Sequence, residues 1–364
     1  MTRVLLLANR KADVQTERAV EALSHGLGEA FAVTVRTVGF GGDFRTPLEA
    51  TRALRRTAGA YDVIHAFGGP ALTAAALGFA GPIAFTPVGY PTRRLIGWTR
   101  AAAAYRNLHA VVPTTTMRRA MVTAGVPLDR CHLVRPGVDF ARVNRRRDAD
   151  LRRQLGFAVD DIVLLAAGES TDAADHKLAV WTASVLHVLE PRYRLLLWGR
   201  GKALPHVKTL ADKLDPAGRL ASVATERLGR DVSLEQLLPA TDVVLVTAKR
   251  PVPTLPIAVA MAAGLPIVST VTYTVAELLE DRHTALMVPR AQPRELARRV
   301  LDLRQDPSLQ WSISDMARTE AFEFFAQSRF LQQHRTLYRQ MAAGEKVDMP
   351  EQTAGAGLRF HGRA

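Results

Sequence analysis

TLPIAVAMAAGLPIVST, Thr254 to Thr270, opens with a helix start at Thr254 and Leu255 and closes on a β-branched run, Ile267 to Thr270. A helix feeding a short buried strand is the expectation. Similar runs recur on either side: Val4 to Ala8, Val33 to Val38, Val63 to His65, Ile83 to Thr86, Ala110 to Pro113 and His132 to Val134, then Ile162 to Ala167, Leu195 to Trp198 and Val243 to Val246. Stretches with helical spacing separate them, among them Thr16 to Leu27 and Thr115 to Ala124, the second stopping at Gly125. This is the alternation of βαβ units, whose parallel strands are buried on both faces and read as nearly continuous apolar runs.

At 364 residues the chain is two domains long by size. The first layer of strands spans 1–150, and a second restarts over 151–327 after a basic stretch holding Arg142, Arg145, Arg146, Arg147, Arg152 and Arg153, which reads as a linker with a solvated helix start. A late helix follows over 328–343. The tail, 344–364, has Pro350, Gly355, Gly357 and Gly362 and little to bury, so mobility is expected there.

Lys and Arg number 48 against 35 Asp and Glu, a formal charge of +13. Such a balance favours anionic partners, whether nucleotide diphosphates or acidic lipid head groups, or reflects solubility alone. Nucleic acid is not expected, because no recognition motif accompanies the charge. The single cysteine, Cys131, leaves no disulfide framework and no cysteine cluster for zinc, as in a reducing cytoplasm. The apolar start in MTRVLLLANRK is short for a signal peptide and reads as a buried strand. Ala66 to Thr92 carries no charge, but Gly68, Gly69, Pro70, Gly78, Gly81, Pro82 and Pro87 break it into loop, helix and strand.

Several passages, in order, resemble the retaining "glycosyl transferases group 1" family of GT-B glycosyltransferases. YDVIHAF at Tyr61 to Phe67 resembles the family's D-V-I-H strand end, and Ala110 to Asp139, which ends RPGVD, its P-x-G-V-D passage. LLAAG at Leu164 to Gly168, DHKLAVWTASVL at Asp175 to Leu186, LLLWGRG at Leu195 to Gly201, LEQLLPATDVVLVTA at Leu234 to Ala248 and AELLEDRHTALMVP at Ala276 to Pro289 follow its second domain. In the opening stretch Ala260, Met261, Ala262, Gly264, Pro266, Ile267 and Val268 fit the donor-site signature, while Pro251 and Val259 stand at its two glutamate positions.

The resemblance implies an α/β fold of two Rossmann-like domains facing across a cleft. It also implies transfer of a hexose from a nucleotide diphosphate sugar to a glycan or lipid-linked acceptor, with retention and without a metal or other cofactor. Lys177 falls on a lysine that clamps the donor diphosphate, or is a solvated helix-start lysine. Gly199, in Gly199-Arg200-Gly201, allows close approach of the nucleotide, or a tight turn. Thr254 and Leu255 present a helix start to phosphates, with Thr254 a plausible N-cap. Glu277 meets ribose or caps a helix around Val275 to Leu279. On the acceptor side His65 orients a hydroxyl or is a satisfied buried histidine.

Other positions depart from the family. Glu169 replaces the clamp arginine, and facing a diphosphate about 4 Å away it would cost about 4 kcal/mol at an effective dielectric near 20, unless it turns to solvent. Lys249 and Arg250 could supply cationic contacts instead. Val88 stands where the family often has a histidine, and Ala8 to Asp13 lacks the glycine-rich loop. A catalytically inactive relative that binds or scaffolds a partner is therefore the alternative, and peripheral contact with an anionic membrane is a further expectation from the charge.

Overall fold

The computed structural model describes residues 1–349 apart from 58, 145 and 290. The chain divides into two compact units: Met1–Gly137 with the segment that begins at Phe325, and the stretch from Val138 to Phe324. Residues 350–364, most of the expected mobile tail, lie outside the described residues.

The first unit alternates β1 (Thr2–Asn9), α1 (Val14–Gly26), β2 (Phe31–Val38), α2 (Pro47–Arg56), β3 (Val63–Phe67), α3 (Gly69–Gly78), β4 (Ile83–Thr86), α4 (Arg93–Tyr105), β5 (Leu108–Val112), α5 (Thr115–Thr123) and β6 (Cys131–Leu133). Its six-stranded sheet has the order β2-β1-β3-β4-β5-β6, and every pairing is parallel. Helix starts follow the side chains: Asp13, Thr46, Thr92 and Thr114 each accept a hydrogen bond from a backbone N–H in the first turn of the helix they precede. α5 ends before Gly125, whose φ of +88° is the left-handed stop that the sequence predicted.

The second unit contains α6 (Ala149–Gln154), β7 (Ile162–Ala166), α7 (His176–Leu189), β8 (Tyr193–Leu197), α8 (Leu204–Leu214), β9 (Ala221–Val223), α9 (Ala224–Leu228), β10 (Val243–Val246), α10 (Leu255–Ala262), β11 (Ile267–Thr270), β12 (Leu286–Val288), α11 (Pro293–Gln305) and α12 (Pro307–Phe325). Its parallel sheet has the order β12-β11-β10-β7-β8-β9, so successive strands run outward from β7 to one edge and then from β10 to the other. Each unit is thus a Rossmann-like layer with its own apolar core.

The last helix, α13 (Gln327–Ala343), belongs to the first unit. Phe330, Leu331, Leu337, Tyr338 and Met341 pack with Val4, Leu6 and Val63 of β1 and β3, and Val347 beyond the helix joins the same cluster. Arg335 donates from Nε to Leu27 O at 3.0 Å and from Nη2 to Gly26 O at 2.6 Å, a cation on the carbonyl end of α1.

The basic stretch is not simply a solvated linker. Arg152 is fully buried and ion-paired with Asp242, and it donates from Nη1 to Asp161 O at 2.8 Å. Asp148 N donates to Pro239 O at 3.1 Å, and Phe140 meets Phe322 edge to face at 5.4 Å. These bonds tie residues from Val138 onward to the second unit, ahead of the boundary expected at 150.

Candidate functional site

In an open parallel sheet, ligands bind beyond the carboxyl ends of the strands where the strand order reverses. In the second unit that place lies between β7 and β10, at residues 167–170 and 247–256. Gly168 has φ +81°, and a Cβ there would stand 3.1 Å from Pro256 Cγ, so the β7 loop lies against the first turn of α10. Ser170 N donates to Arg200 O at 2.7 Å and Ala203 N to Ser170 O at 2.8 Å, stitching this loop to the one after β8. Gly201 permits the stitch: a Cβ on it would lie 2.3 Å from Ser170 O. Gly199, at φ +104°, would place a Cβ 1.9 Å from Thr225 Oγ1, so a turn packed on Thr225 already requires glycine there.

Glu169 does not turn to solvent. Its carboxylate is 3.7 Å from Arg200 Nε and its side chain is 18% exposed. The Arg200 guanidinium also stands 5.3 Å from the ring centroid of Trp198, whose indole N–H donates to Val232 O at 2.7 Å. Asp172 pairs with Lys249 at 3.0 Å and also with Arg250. The two cations considered as substitutes for the missing side chains therefore already face a carboxylate. Lys249 N donates to Ala173 O at 3.0 Å and Thr247 Oγ1 to Ala174 O at 2.9 Å, fastening the β7–α7 loop onto the end of β10.

His176 opens α7 and is buried. Its Nε2–H donates to Ala167 O at 3.1 Å, which leaves Nδ1 to accept from Ser170 Oγ at 2.9 Å. Burial lowers its pKa to about 4, so the ring is neutral and braces the loop. Lys177, next in sequence, is exposed. Thr254 is buried at the N-cap position of α10 but makes no capping bond, and Leu255 is buried beside it. Every residue of α10 is buried, Val259 included, and Pro251 is half-buried. Glu277 is buried within turns at 273–278, with no helix there to cap.

In the first unit the strand order reverses between β1 and β3, at Asn9 and Gly68. Gly68 has φ +87°, and a Cβ on it would lie 2.4 Å from Asn9 Nδ2 and 3.1 Å from Val88. Asn9 Oδ1 is buried without a hydrogen-bond partner. His65 is fully buried. Thr86 Oγ1 donates to Val111 O at 3.0 Å, so His65 Nε2–H donates to Thr86 at 2.9 Å and Nδ1 accepts from Tyr338 OH at 2.5 Å. Burial first, then the neighbouring His334, holds its pKa well below the usual range. Both ring nitrogens are thereby engaged in joining β3 to α13.

The switch point of the second unit thus gathers Gly168, Glu169, Arg200 and the start of α10, with Lys177 on the helix that follows. Thr254 and Leu255 are part of it. Arg200 lies inside LLLWGRG, but the sequence does not mark it, because its neighbour Glu169 is far from it along the chain. In ANRKAD the missing glycines stand out, and Asn9 carries no signal of its own until Gly68 packs against it.

Residues 161–306 match the sequence model of the family described as Glycosyl transferases group 1. EpsD of Bacillus subtilis, whose name describes it as a glycosyltransferase, is 25% identical over 199 residues, 55% of this chain and 51% of its own, so the match spans about half of that relative. Among solved structures, Anabaena HepE in complex with UDP-glucose has a TM-score of 0.75 at 17% identity, covering 94% of this chain and 100% of that one. WaaG, described as a glycosyltransferase involved in lipopolysaccharide biosynthesis, has a TM-score of 0.69 at 14% identity, covering 93% and 99%. At these identities the likeness is one of fold.

Proposed function

We propose that this chain, which belongs to the glycosyl transferases group 1 family through residues 161–306 and has the GT-B fold, binds a nucleotide diphosphate sugar at the β7–β10 switch point and transfers its hexose to a glycan or lipid-linked acceptor with retention. The observation that carries this reading is the contact of Gly168 with Pro256, a bare backbone loop against the positive end of α10. A departing nucleoside diphosphate gains charge as the glycosidic bond breaks. A helix start and the Lys177 ammonium would meet that charge without reorganising. The UDP-glucose in the HepE structure supports the choice of donor class.

Thermal stability measured against UDP, GDP, ADP and their sugars tests the proposal. One of these nucleotides should raise the melting temperature, and Lys177→Ala should weaken its binding by about ten- to a hundredfold, as expected when a hydrogen bond to a charged group worth about 1.5–3 kcal/mol is lost. No shift with any nucleotide at saturating concentration would overturn the donor-site assignment.

The apolar side chains of Pro251 and Val259 favour a second reading, a catalytically inactive relative that binds or scaffolds a partner. Nucleotide binding without sugar transfer to any glycan or lipid-linked acceptor would decide for it.

Among the described residues no helix is long and apolar enough to cross a membrane. A lipid-linked acceptor would instead be met at the bilayer surface, and α4 suits that contact. From Val63 to Leu128 the chain has no Asp or Glu, and α4 presents exposed Arg93, Arg94, Arg100 and Tyr105, with Tyr90 just before it. The protein should float with phosphatidylglycerol vesicles and stay behind with phosphatidylcholine ones, and Arg93→Glu with Arg94→Glu should abolish flotation. Equal recovery with both lipids would refute the contact.

A further inference from the structure

We propose that the β7–α7 loop carries its own anionic plug: Glu169 and Asp172 occupy the cations of the switch point, and the diphosphate of a nucleotide must displace them to bind. The inference rests on the donor-site assignment and adds to it a residue, Arg200, and a built-in competitor.

Two contacts, on two different strands' loops, carry it. Glu169 reaches Arg200 after β8, at 3.7 Å, and Asp172 reaches Lys249 after β10, at 3.0 Å, together with Arg250. One loop therefore places both acids on cations from the strands at either side of β7. The backbone holds this arrangement in register through Ser170 N to Arg200 O at 2.7 Å and Lys249 N to Ala173 O at 3.0 Å.

Arg200 is suited to receive phosphate. Its guanidinium is backed by the Trp198 ring, which is itself fixed by its indole hydrogen bond, so little side-chain freedom remains to be lost on binding. A planar guanidinium also binds two phosphate oxygens at once. Glu169 and Arg200 are 18% and 25% exposed, so an anion can approach the pair from solvent. Exchange needs no covalent step: the carboxylate leaves the guanidinium for water as the diphosphate takes its place. The same exchange at Lys249 and Arg250 releases Asp172, which is already 70% exposed. A free anion meets Arg200, Lys249 and Arg250 already neutralised and gains from them only the difference between two ion pairs.

The experiment titrates the full chain with inorganic pyrophosphate, with UDP and GDP, and with uridine and guanosine as controls lacking phosphate. It compares wild type with Glu169→Gln, Asp172→Asn, Arg200→Ala and the Glu169→Gln/Arg200→Ala pair. Glu169→Gln should bind pyrophosphate and the nucleotide about tenfold more tightly, equivalent to about 1.4 kcal/mol, with nucleoside binding unchanged. Asp172→Asn should gain severalfold, and because Asp172 is exposed its removal leaves the fold intact. Arg200→Ala should lose affinity and cancel the gain of Glu169→Gln in the pair.

A wild type that binds nucleotide while both carboxamide variants bind no better overturns the plug and leaves the donor site standing. Tighter pyrophosphate binding by the variants with no nucleotide binding supports the plug and removes the donor assignment. No binding of any probe by any variant overturns both.

Discussion

Acidification from pH 7 to pH 5 should unfold the first unit well before the second. Five histidines are buried with their pKa values pushed down, chiefly by desolvation: His109 to about 4, His132 to about 3, His176 and His334 to about 4, and His65 well below the ordinary 6.5. The folded state therefore keeps these rings neutral, while the unfolded chain protonates them below about pH 6.5. With the folded value depressed, the stability each ring contributes is complete above the unfolded pKa and falls as pH drops from there toward the folded one. The loss approaches about 1.4 kcal/mol per pH unit per ring, or about 2 kcal/mol each at pH 5.

Four of the five, His65, His109, His132 and His334, lie in the first unit, and only His176 lies in the second. Against a typical net stability of about 5–15 kcal/mol, four such losses are decisive and one is not. The packing explains why the rings resist protonation. His109 Nδ1 lies 3.0 Å from His132 Nε2 with the rings stacked at 5.3 Å, and His334 lies 5.7 Å from His65. Calorimetry at successive pH values should resolve two transitions that separate on acidification. A melting profile unchanged between pH 7 and pH 5 would refute this account.

The second large effect is expected at Asp242. Replacing it with alanine should cost about 3–5 kcal/mol, because it strands a buried guanidinium. Arg152 is fully buried, with no route to water for its charge. Asp242 also accepts from Val163 N at 2.8 Å and donates its own N–H to Val163 O at 2.9 Å, so the carboxylate anchors α6 to the start of β7 as well. Asp242→Asn should cost less, since the amide oxygen can still accept from Val163 while leaving the cation uncompensated. Arg147, half-exposed and 3.8 Å from the same carboxylate, contributes little by comparison. Urea unfolding of the second unit would measure both variants, and an Asp242→Ala midpoint equal to wild type would sink the claim.

The α/β class was legible because it rests on local pattern. Runs such as Ile162 to Ala167 and Val243 to Val246 are apolar throughout, as a strand covered on both faces must be, and α13 was expected over 328–343 and observed at Gln327–Ala343. The strands left unread, β9 and β12, are three residues long and lie at the sheet edges, although β6, as short and also at an edge, was legible as His132 to Val134. Val275 to Leu279 has helical spacing for one turn. There Thr272 O accepts from Ala276 N at 2.9 Å and the chain continues as turns into β12.

The site was legible where one segment suffices, as at Thr254, and illegible where the chemistry depends on a distant partner. Glu169 looked like a repulsive intruder until Arg200 appeared beside it. For His65 the buried, satisfied reading is the one observed, but the Tyr338 hydroxyl that satisfies its ring lies 273 positions away. Arg152 sat among solvated arginines in sequence, and only Asp242, 90 residues on, explains its burial. Periodicity reports which face is covered, but says nothing of which side chain from another loop will cover it.

The homeward course of α13 fixes the order in which this protein can be completed. A ribosome releases β1 and β3 before α13, with the whole second unit emerging in between. Until then the sheet face carrying Val4, Leu6 and Val63 is covered only in part, by Leu23 and Leu27 at the end of α1, and His65 has no phenol to bond. The nascent first unit therefore waits for α13 to bury the remainder of that apolar surface.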